Sequence, residues 1–460
     1  MAAGVFNVAM DRAARGGMGR QICDVIRASY HPAWHFAPFA TRRDYPALMT
    51  CGVRHCRLYS DEVEVTEVQM GNTFQSSHRP NAVCPGEIVR FCLAGLAGGA
   101  KTITGWCLNI RRRDNEAGDW GLLDDMANLN ARTSALAKLR KVLATIDDVI
   151  GAWRVAPPDV CLLMEPRAQA IEMADAPGNI PMPGRRPHDS IRGQALLSQR
   201  LAERGLTGVV ARIKDMPENP LGRVAFASHL VAWEADEARR LLDWSNAGGT
   251  LVIDATCGRK TFDAVQYRLW PGHFAESIGL AVGGHESRAE HYDIEVNGHP
   301  AGRWPLARLS ASLDAEAGWT AWCNVRFAID GEPAVWERRW GLGRIVIIRG
   351  VVGPSLIEWP EEDEAIRTIL DGVTVGLKPT LWPIPGQRGT TLHLVATDRG
   401  QLFVVLAPEI PQGGRRPIRL KGPPHAVWRD FWSDESTPAD AAGEISLMAH
   451  DGVALLWRDG

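Results

Sequence analysis

Residues 62–71, EVEVTEVQMG, carry a glutamate, Glu67, near the end of a strand-like run. If the run is extended, Val63, Val65, Glu67 and Gln69 share one side of the strand. A carboxylate is rarely buried without a partner, so Glu67 is either a strand end reaching solvent or an acid held in a site. Farther on, KTITGWCLN contains Trp106, and NEAGDWGLLDD supplies Glu116, Asp119, Asp124 and Asp125 directly after it. In an α/β sheet, residues just beyond the carboxyl ends of consecutive strands converge on one mouth. Two carboxylates and an indole there suit glycoside chemistry, in which one carboxylate attacks or stabilises the anomeric carbon and an acid protonates the leaving oxygen. The competing reading of Glu116 is an acid solvated in a polar loop. Asp124 and Asp125 precede a helix and suit N-terminal caps.

The elements that would position these groups follow from pattern. ICDVIRASYH reads as a buried strand leading into Pro32, and VEVTEVQMG as the next. A helix then opens near Pro85 and closes at Gly98 and Gly99, and KTITGWCLN is a further strand. This strand, helix, strand rhythm is that of an α/β domain. From Met126 the three-and-four spacing of apolar residues predicts one long helix. DVCLLMEP, RVAFASHL and TLVIDAT read as strands of a second, mostly parallel sheet, with helices SIRGQALLSQRLAERG and WEADEARRLLDWSNAGG between them. Beyond about residue 281 helix signals nearly vanish, and short strand runs separated by Gly, Pro and Asp predict β domains.

Composition narrows the function classes. With 460 residues, 45% hydrophobic and 23% charged, the chain has room for about three globular domains. A net charge of -3 with interspersed signs lacks the basic footprint of a nucleic-acid binder. No run approaches ~18 apolar residues, and the N-terminal residues have no long apolar core, so neither a membrane span nor a standard export signal is expected and the cytoplasm is the default location. Nine irregularly spaced cysteines fit reduced thiols better than a disulfide framework. Neither Cys51 and Cys56 nor the histidines at 285, 291 and 299 have the spacing of a compact metal site, and no dinucleotide fingerprint is present, so neither metal nor cofactor is expected. Cys257 follows a strand without a readable histidine and acid, which favours a structural thiol. Seventeen tryptophans against five tyrosines stand out; Trp34, Trp106 and Trp120 lie in the same third of the chain as Glu67, where indoles could stack on sugar faces.

TEVQMGNTFQSSHRPNAVCPGE and LAGGAKTITGWCLNIRRRDNEAGDWGLLDD together resemble the last part of the catalytic barrel of the β-galactosidases of glycoside hydrolase family 42. In that family the seventh strand ends in a glutamate nucleophile, a Pro-Gly pair opens the next helix, the eighth strand carries a tryptophan, and a glutamate after it binds the sugar. The resemblance implies Glu67 as nucleophile, Pro85 and Gly86 as helix start, and Trp106 and Glu116 as sugar-binding residues. DVIRASYHPAWHF resembles the sixth-strand region, placing Asp24, Ser29, His31, Pro32 and Trp34 near the cleft. Asp119 stands where the family often has a histidine, and Phe74 or His78 would replace a tryptophan that walls the sugar pocket. AFASHLVAWEADEARRLLDWSNAGGTLVIDATCG resembles the family's amidotransferase-like trimerisation domain.

The implied fold is therefore α/β: the C-terminal part of a (β/α)8 TIM barrel, then an amidotransferase-like α/β domain and a C-terminal β-sandwich-like domain. The expected boundaries are 1–125 for the partial barrel, 126–157 for a connecting helix, 158–280 for the trimerisation domain, 281–360 for a β-rich extension and 361–460 for the C-terminal β domain. The implied partners are a carbohydrate substrate and two further copies in a homotrimer, and the implied reaction is retaining hydrolysis of a terminal glycosidic bond. A whole barrel takes about 250 residues, yet only 66 precede Glu67. No Asn-Glu pair, the mark of the family's acid/base on strand four, occurs before it. The expectation is a start site placed too far downstream or an incomplete gene product, with a second chain supplying the remainder as a further alternative. The rival function is a non-catalytic carbohydrate-associated or assembly protein.

Overall fold

Parallel pairing of four short strands, β1 (Ala2–Phe6), β2 (Val25–Tyr30), β3 (Glu62–Gln69) and β4 (Ala100–Trp106), builds the sheet that carries Glu67, in the order β1-β2-β3-β4. The computed structural model describes residues 2–6, 25–36, 40–76, 80–176, 183–312, 318–408 and 414–459. Asp24 and His78, both named above as near the cleft, lie outside them, as does Cys23. One face of the sheet, formed by Ile26, Ala28, Val63, Val65 and Val68, packs on helices Tyr45–Cys56 and Pro85–Gly98 in a single apolar core. Pro85 starts the second helix, where its missing N–H costs nothing, and Gly99 ends it with φ +100, a conformation that favours glycine.

β3 does not alternate as its sequence predicts. Ala28 pairs with Val65 and Ser29 with Glu67, so Thr66 is an extra residue, and the pairing with β4 shifts by one residue over the same stretch. This β-bulge flips the phase of the strand. Val68 joins Val63 and Val65 on the core face, while Glu67 moves to the opposite face beside Ser29. The expectation that Glu67 shares a side with Val63 and Val65 is thus corrected.

The middle sheet holds seven strands. Val160–Leu163, Gly208–Ala211, Val224–Ala227, Thr250–Asp254 and Gly343–Ile348 run parallel, and Val335–Trp340 and Trp319–Ala321 extend it antiparallel. Strands from the expected 281–360 extension therefore complete the sheet that begins at Val160, and a boundary at residue 280 would divide one sheet. The run IVII in Gly343–Ile348 is buried on both faces, so its sequence gives no alternation to separate it from an outer β domain. Helices also return after residue 281, as Val352–Glu358 and Glu364–Val373; the second buries Ala365, Ile366, Ile369, Leu370 and Val373 at helical spacing. The long helix forms at Ala131–Ile150 and is capped by Asn130, whose side chain accepts from the amides of Arg132 and Thr133. Asp124 instead caps the preceding turn through the amides of Met126 and Asn128.

The remaining strands, from Trp382 to Asp459, pair in one antiparallel network with a hairpin at Val427–Asp430 and Glu435–Pro438 branching from it. Arg154–Val155 joins this network at Thr391–Thr397. The network also backs the half-barrel, where Arg90 donates to Ala407 O (2.8 Å) from helix Pro85–Gly98. No helix among the described residues is long and apolar enough to cross a membrane.

A buried ionic knot ties helix Asp189–Ala202 to the segment that opens helix Glu364–Val373. Arg200, fully buried, donates to Asp363 and to Pro360 O (2.9 Å), and Arg367 bridges Asp363 (2.9 Å) and Glu203 (2.6 Å). Burial pushes the Asp363 carboxyl up, but Arg200, Arg367 and Arg388 outweigh it and hold its pKa below the usual value. Removing one partner of such a network strands the others, so Asp363→Ala is expected to lower unfolding free energy by about 3–5 kcal/mol in denaturant titration. A depressed folded pKa contributes stability above the unfolded carboxylate value of about 4 and loses it as pH falls through the lower folded value. Asp363→Asn should accordingly flatten the acid limb of the stability curve; an unchanged limb would remove Asp363 from the account.

Candidate functional site

Glu67 sits at the carboxyl end of β3 on the face opposite the core, with about 27% of its side chain exposed. Its Oε2 accepts from Ser29 Oγ on β2 (3.0 Å) and lies 3.1 Å from His31 Nε2. An ionised carboxylate only accepts, so the imidazole donates from Nε2. These bonds, that from His31 first, hold the Glu67 pKa below the usual carboxylate value despite partial burial. The same face carries the Arg27–Glu64 ion pair (2.7 Å) one pair of residues earlier.

Several contacts hold His31. It precedes the short helix Pro32–His35, its amide donates to His35 Nδ1 (3.0 Å), and its ring meets Trp34 and Trp120 at centroid distances of 5.3 and 4.9 Å. Gln69, the last residue of β3, accepts from the Ala33 amide (3.2 Å), which fixes that helix to the strand carrying Glu67. Trp120 is completely buried, with φ +73, and supports both His31 and Trp34 from beneath rather than offering a sugar-stacking face. Gly71 and Gly121 cross so closely that a Cβ on Gly71 would come within 2.1 Å of Gly121 O. This crossing lets the loop after β4 lie against the end of β3.

Asp119 organises the rim. Its carboxylate accepts from the amides of Phe74 (2.9 Å), Gln75 (3.1 Å) and Ser76 (2.9 Å) and from Ser76 Oγ (2.7 Å). Burial pushes its pKa up, but these bonds prevail and hold it below the ordinary value. With that many donors it is a brace for the loop, and its use as a direct sugar ligand would cost those bonds. Trp34 completes the rim by donating to Ser76 O, and Phe74, 72% exposed, stands at the edge. Glu116 belongs to a second group at the end of β4: it pairs with Arg111 (2.9 Å), whose guanidinium lies 5.9 Å from the Trp106 ring centroid. Glu67, His31, Trp34, Asp119 and Phe74 thus form one connected rim, while Glu116 and Trp106 are joined through Arg111. Arg111 is the residue that sequence reasoning passed over, although it opens the run RRRDNE that leads to the acid it pairs with.

The side chains bonded to Glu67 among the described residues, Ser29 and His31, include no acid. A retaining pair needs a second carboxyl group about 5–5.5 Å away. A cavity of about 920 Å³ is lined by Arg204, Asp371, Lys378 and Trp382 among others, and by none of these rim residues. In the middle unit, Cys257 is buried, and burial together with Asp254 raises its pKa well above the ordinary thiol value, which makes it an inert structural thiol.

No protein-family model and no curated protein matches the sequence. Solved structures match it in fold. A β-galactosidase from Bacillus circulans sp. alkalophilus superposes with TM-score 0.74 at 14% identity, over 99% of this chain and 63% of that one. The GH42 β-galactosidase Gan42B from G. stearothermophilus does so with TM-score 0.72 at 16% identity, over 96% of this chain and 60% of that one. An α-L-fucosidase isoenzyme from Paenibacillus thiaminolyticus follows with TM-score 0.59 at 13% identity, over 98% of this chain and 68% of that one. The chain therefore has the α/β architecture of the GH42 β-galactosidases, part of a TIM barrel followed by α/β and β-rich units, and it spans 60–63% of the length of the two β-galactosidases. Because the fucosidase shares the architecture, the fold does not name the sugar.

Cutting the brace separates its role from that of a ligand. Asp119→Ala should leave three loop amides without their acceptor and cost on the order of 2 kcal/mol. Hydrogen exchange at Phe74, Gln75 and Ser76 should quicken while β3 amides stay protected; unchanged exchange in the loop would contradict the brace.

Proposed function

We propose that this chain carries the nucleophile side of a retaining glycosidase site of the β-galactosidase type. The observation that supports it most is Glu67: an ionised carboxylate at the carboxyl end of a barrel-type strand, aimed by Ser29 and His31. In the complete site Glu67 attacks the anomeric carbon, and a second carboxyl group, not among the side chains bonded to Glu67, protonates the leaving oxygen and later activates water. His31 and Ser29 keep Glu67 charged and oriented before attack. Trp106, held by Arg111, and Glu116 position the sugar, with Trp34 and Phe74 forming the opposite wall. The middle unit is assigned to homotrimer assembly and the cytoplasm to the place of action, both on the family resemblance.

A leaving group that needs no proton bypasses the acid and tests Glu67 alone. Incubation of the full chain with 2,4-dinitrophenyl 2-deoxy-2-fluoro-β-galactoside should add one fluorosugar, found on the Glu67 peptide by mass spectrometry, and Glu67→Gln should abolish the adduct. Ordinary nitrophenyl galactoside should turn over at least about a hundredfold more slowly than with an acid present, as expected for loss of general acid catalysis. A second reading, a non-catalytic assembly protein, is favoured by the neutralised state of Glu116 and the commitment of Asp119 to the loop. Absence of the adduct, or its equal formation in Glu67→Gln, would leave that second reading in place of the first.

A further inference from the structure

The cavity of about 920 Å³ opens between helix Glu364–Val373 with the segment after it, the residues just beyond helix Asp189–Ala202, and the strand Trp382–Pro383. Its size falls among small-molecule sites, which run to about 1,000 Å³. Its walls are clamped. Trp382 pairs with Lys421 in antiparallel register, Ile384 donates to Arg419 O (3.0 Å), the Arg419 amide donates to Gln387 (3.0 Å), and the Gly389 amide donates to Glu203 (2.9 Å). Pro379, Pro383 and Pro385 fix φ along the same stretch. A wall held in this way has little freedom left to lose when a ligand enters.

That wall offers a flat apolar face, a donor and an acceptor, all within reach of solvent. Trp382 is half-buried; among the described residues its ring meets no other ring or cation, and its indole nitrogen makes no hydrogen bond. The ammonium of Lys378, an exposed residue, has neither hydrogen bond nor ion pair among them. Asp371, with 67% of its side chain exposed, accepts from Arg204 Nε through Oδ1 (2.6 Å) and leaves Oδ2 uncommitted. The two terminal nitrogens of Arg204 donate to Arg200 O and Arg367 O (both 2.9 Å), so the group that holds Asp371 is itself fixed. Other charges on the wall offset one another: Arg367 pairs with Glu203 (2.6 Å), and Arg388 lies 3.9 Å from Glu364. Nearly balanced charge gives an anion little advantage, and a wholly apolar ligand would leave Lys378 and Asp371 covered without partners. A molecule with apolar CH faces, and with hydroxyls that both donate and accept, satisfies every part of the wall.

We propose that this cavity binds a neutral oligosaccharide, with a sugar face on the Trp382 indole and hydroxyls bonded by Lys378 and Asp371. The site lies at the seam of the middle unit and the C-terminal β network and shares no lining residue with the Glu67 rim. It holds a glycan whether or not the rim cleaves one, so the assignment does not rest on the glycosidase reading.

The full chain carrying Glu67→Gln, which removes turnover at the rim, is labelled with nitrogen-15 at its indoles and titrated with lactose, cellotriose, mannotriose and, as an acidic arm, digalacturonate. At least one neutral sugar should shift the Trp382 indole signal saturably and bind more tightly than digalacturonate; the signal is assigned by its absence in Trp382→Phe. Trp382→Ala should weaken that binding at least about tenfold. Lys378→Met and Asp371→Asn, both at exposed positions that leave the interior intact, should each weaken it several-fold. Trp106→Ala, at the rim, should leave it unchanged. No shift at Trp382 with any neutral sugar, tighter binding of digalacturonate, unchanged affinity in Lys378→Met or Asp371→Asn, or loss of binding in Trp106→Ala would each overturn the proposal.

Discussion

The extra residue at Thr66 decides which side of the sheet Glu67 faces, and the candidate site depends on it. Without the bulge, strict alternation would carry Glu67 onto the face of Val63 and Val65, against helices whose side chains offer an apolar core. With it, Val68 takes the core position and Glu67 meets Ser29 and His31 on the other face. Bulges re-aim side chains at the rims of barrels, and here a single inserted residue converts a core-facing register into a rim-facing acid.

Holding that acid in place takes contacts from several separate segments. β2 supplies Ser29, the turn after it supplies His31, Gln69 clips the following helix to β3, and the loop beyond β4 returns Trp120 beneath the histidine and Asp119 to the rim. The outer helices that keep the strands in register are backed in turn by the C-terminal β network through Arg90 and by the middle unit through Arg54, which donates to Gly208 O, and Arg200, 3.9 Å from Asp44 at the start of helix Tyr45–Cys56. Four parallel strands with an exposed edge would be a poor scaffold alone. Braced in this way, they hold Glu67 at the carboxyl end of β3 beside Ser29 and His31.

The sequence made some of this legible and hid the rest for identifiable reasons. Pro85 and Gly99 bracket a helix because each has a backbone conformation few residues share, and the resulting element falls within a residue of expectation. Glu67 stood out because a carboxylate near the end of a valine-rich strand requires an explanation. Its face is not legible in the sequence, because a bulge leaves no mark in residue types. Sequence leaves Gly343–Ile348 outside the middle unit because a strand buried on both faces shows no period, and its parallel partner Thr250–Asp254 lies far away in sequence. Asp119 stands in a polar loop whose residue types do not tell a ligand from a brace, and the three amides that donate to it become visible only in the fold. Trp120, an indole that could stack on a sugar by its place in the sequence, is instead buried against His31.

Fold likeness at 14–16% identity carries the architecture, while the chemistry rests on one carboxylate and the two donors that hold it. The most direct test of that claim is the ionisation of Glu67 itself, followed by carbon-13 NMR of glutamate-labelled protein and assigned by the signal lost in Glu67→Gln. The account predicts titration below the ordinary glutamate value of about 4.3, and a shift upward in His31→Phe, where the principal donor is gone. A Glu67 that titrates at or above the ordinary value, or that is indifferent to the loss of His31, would contradict it.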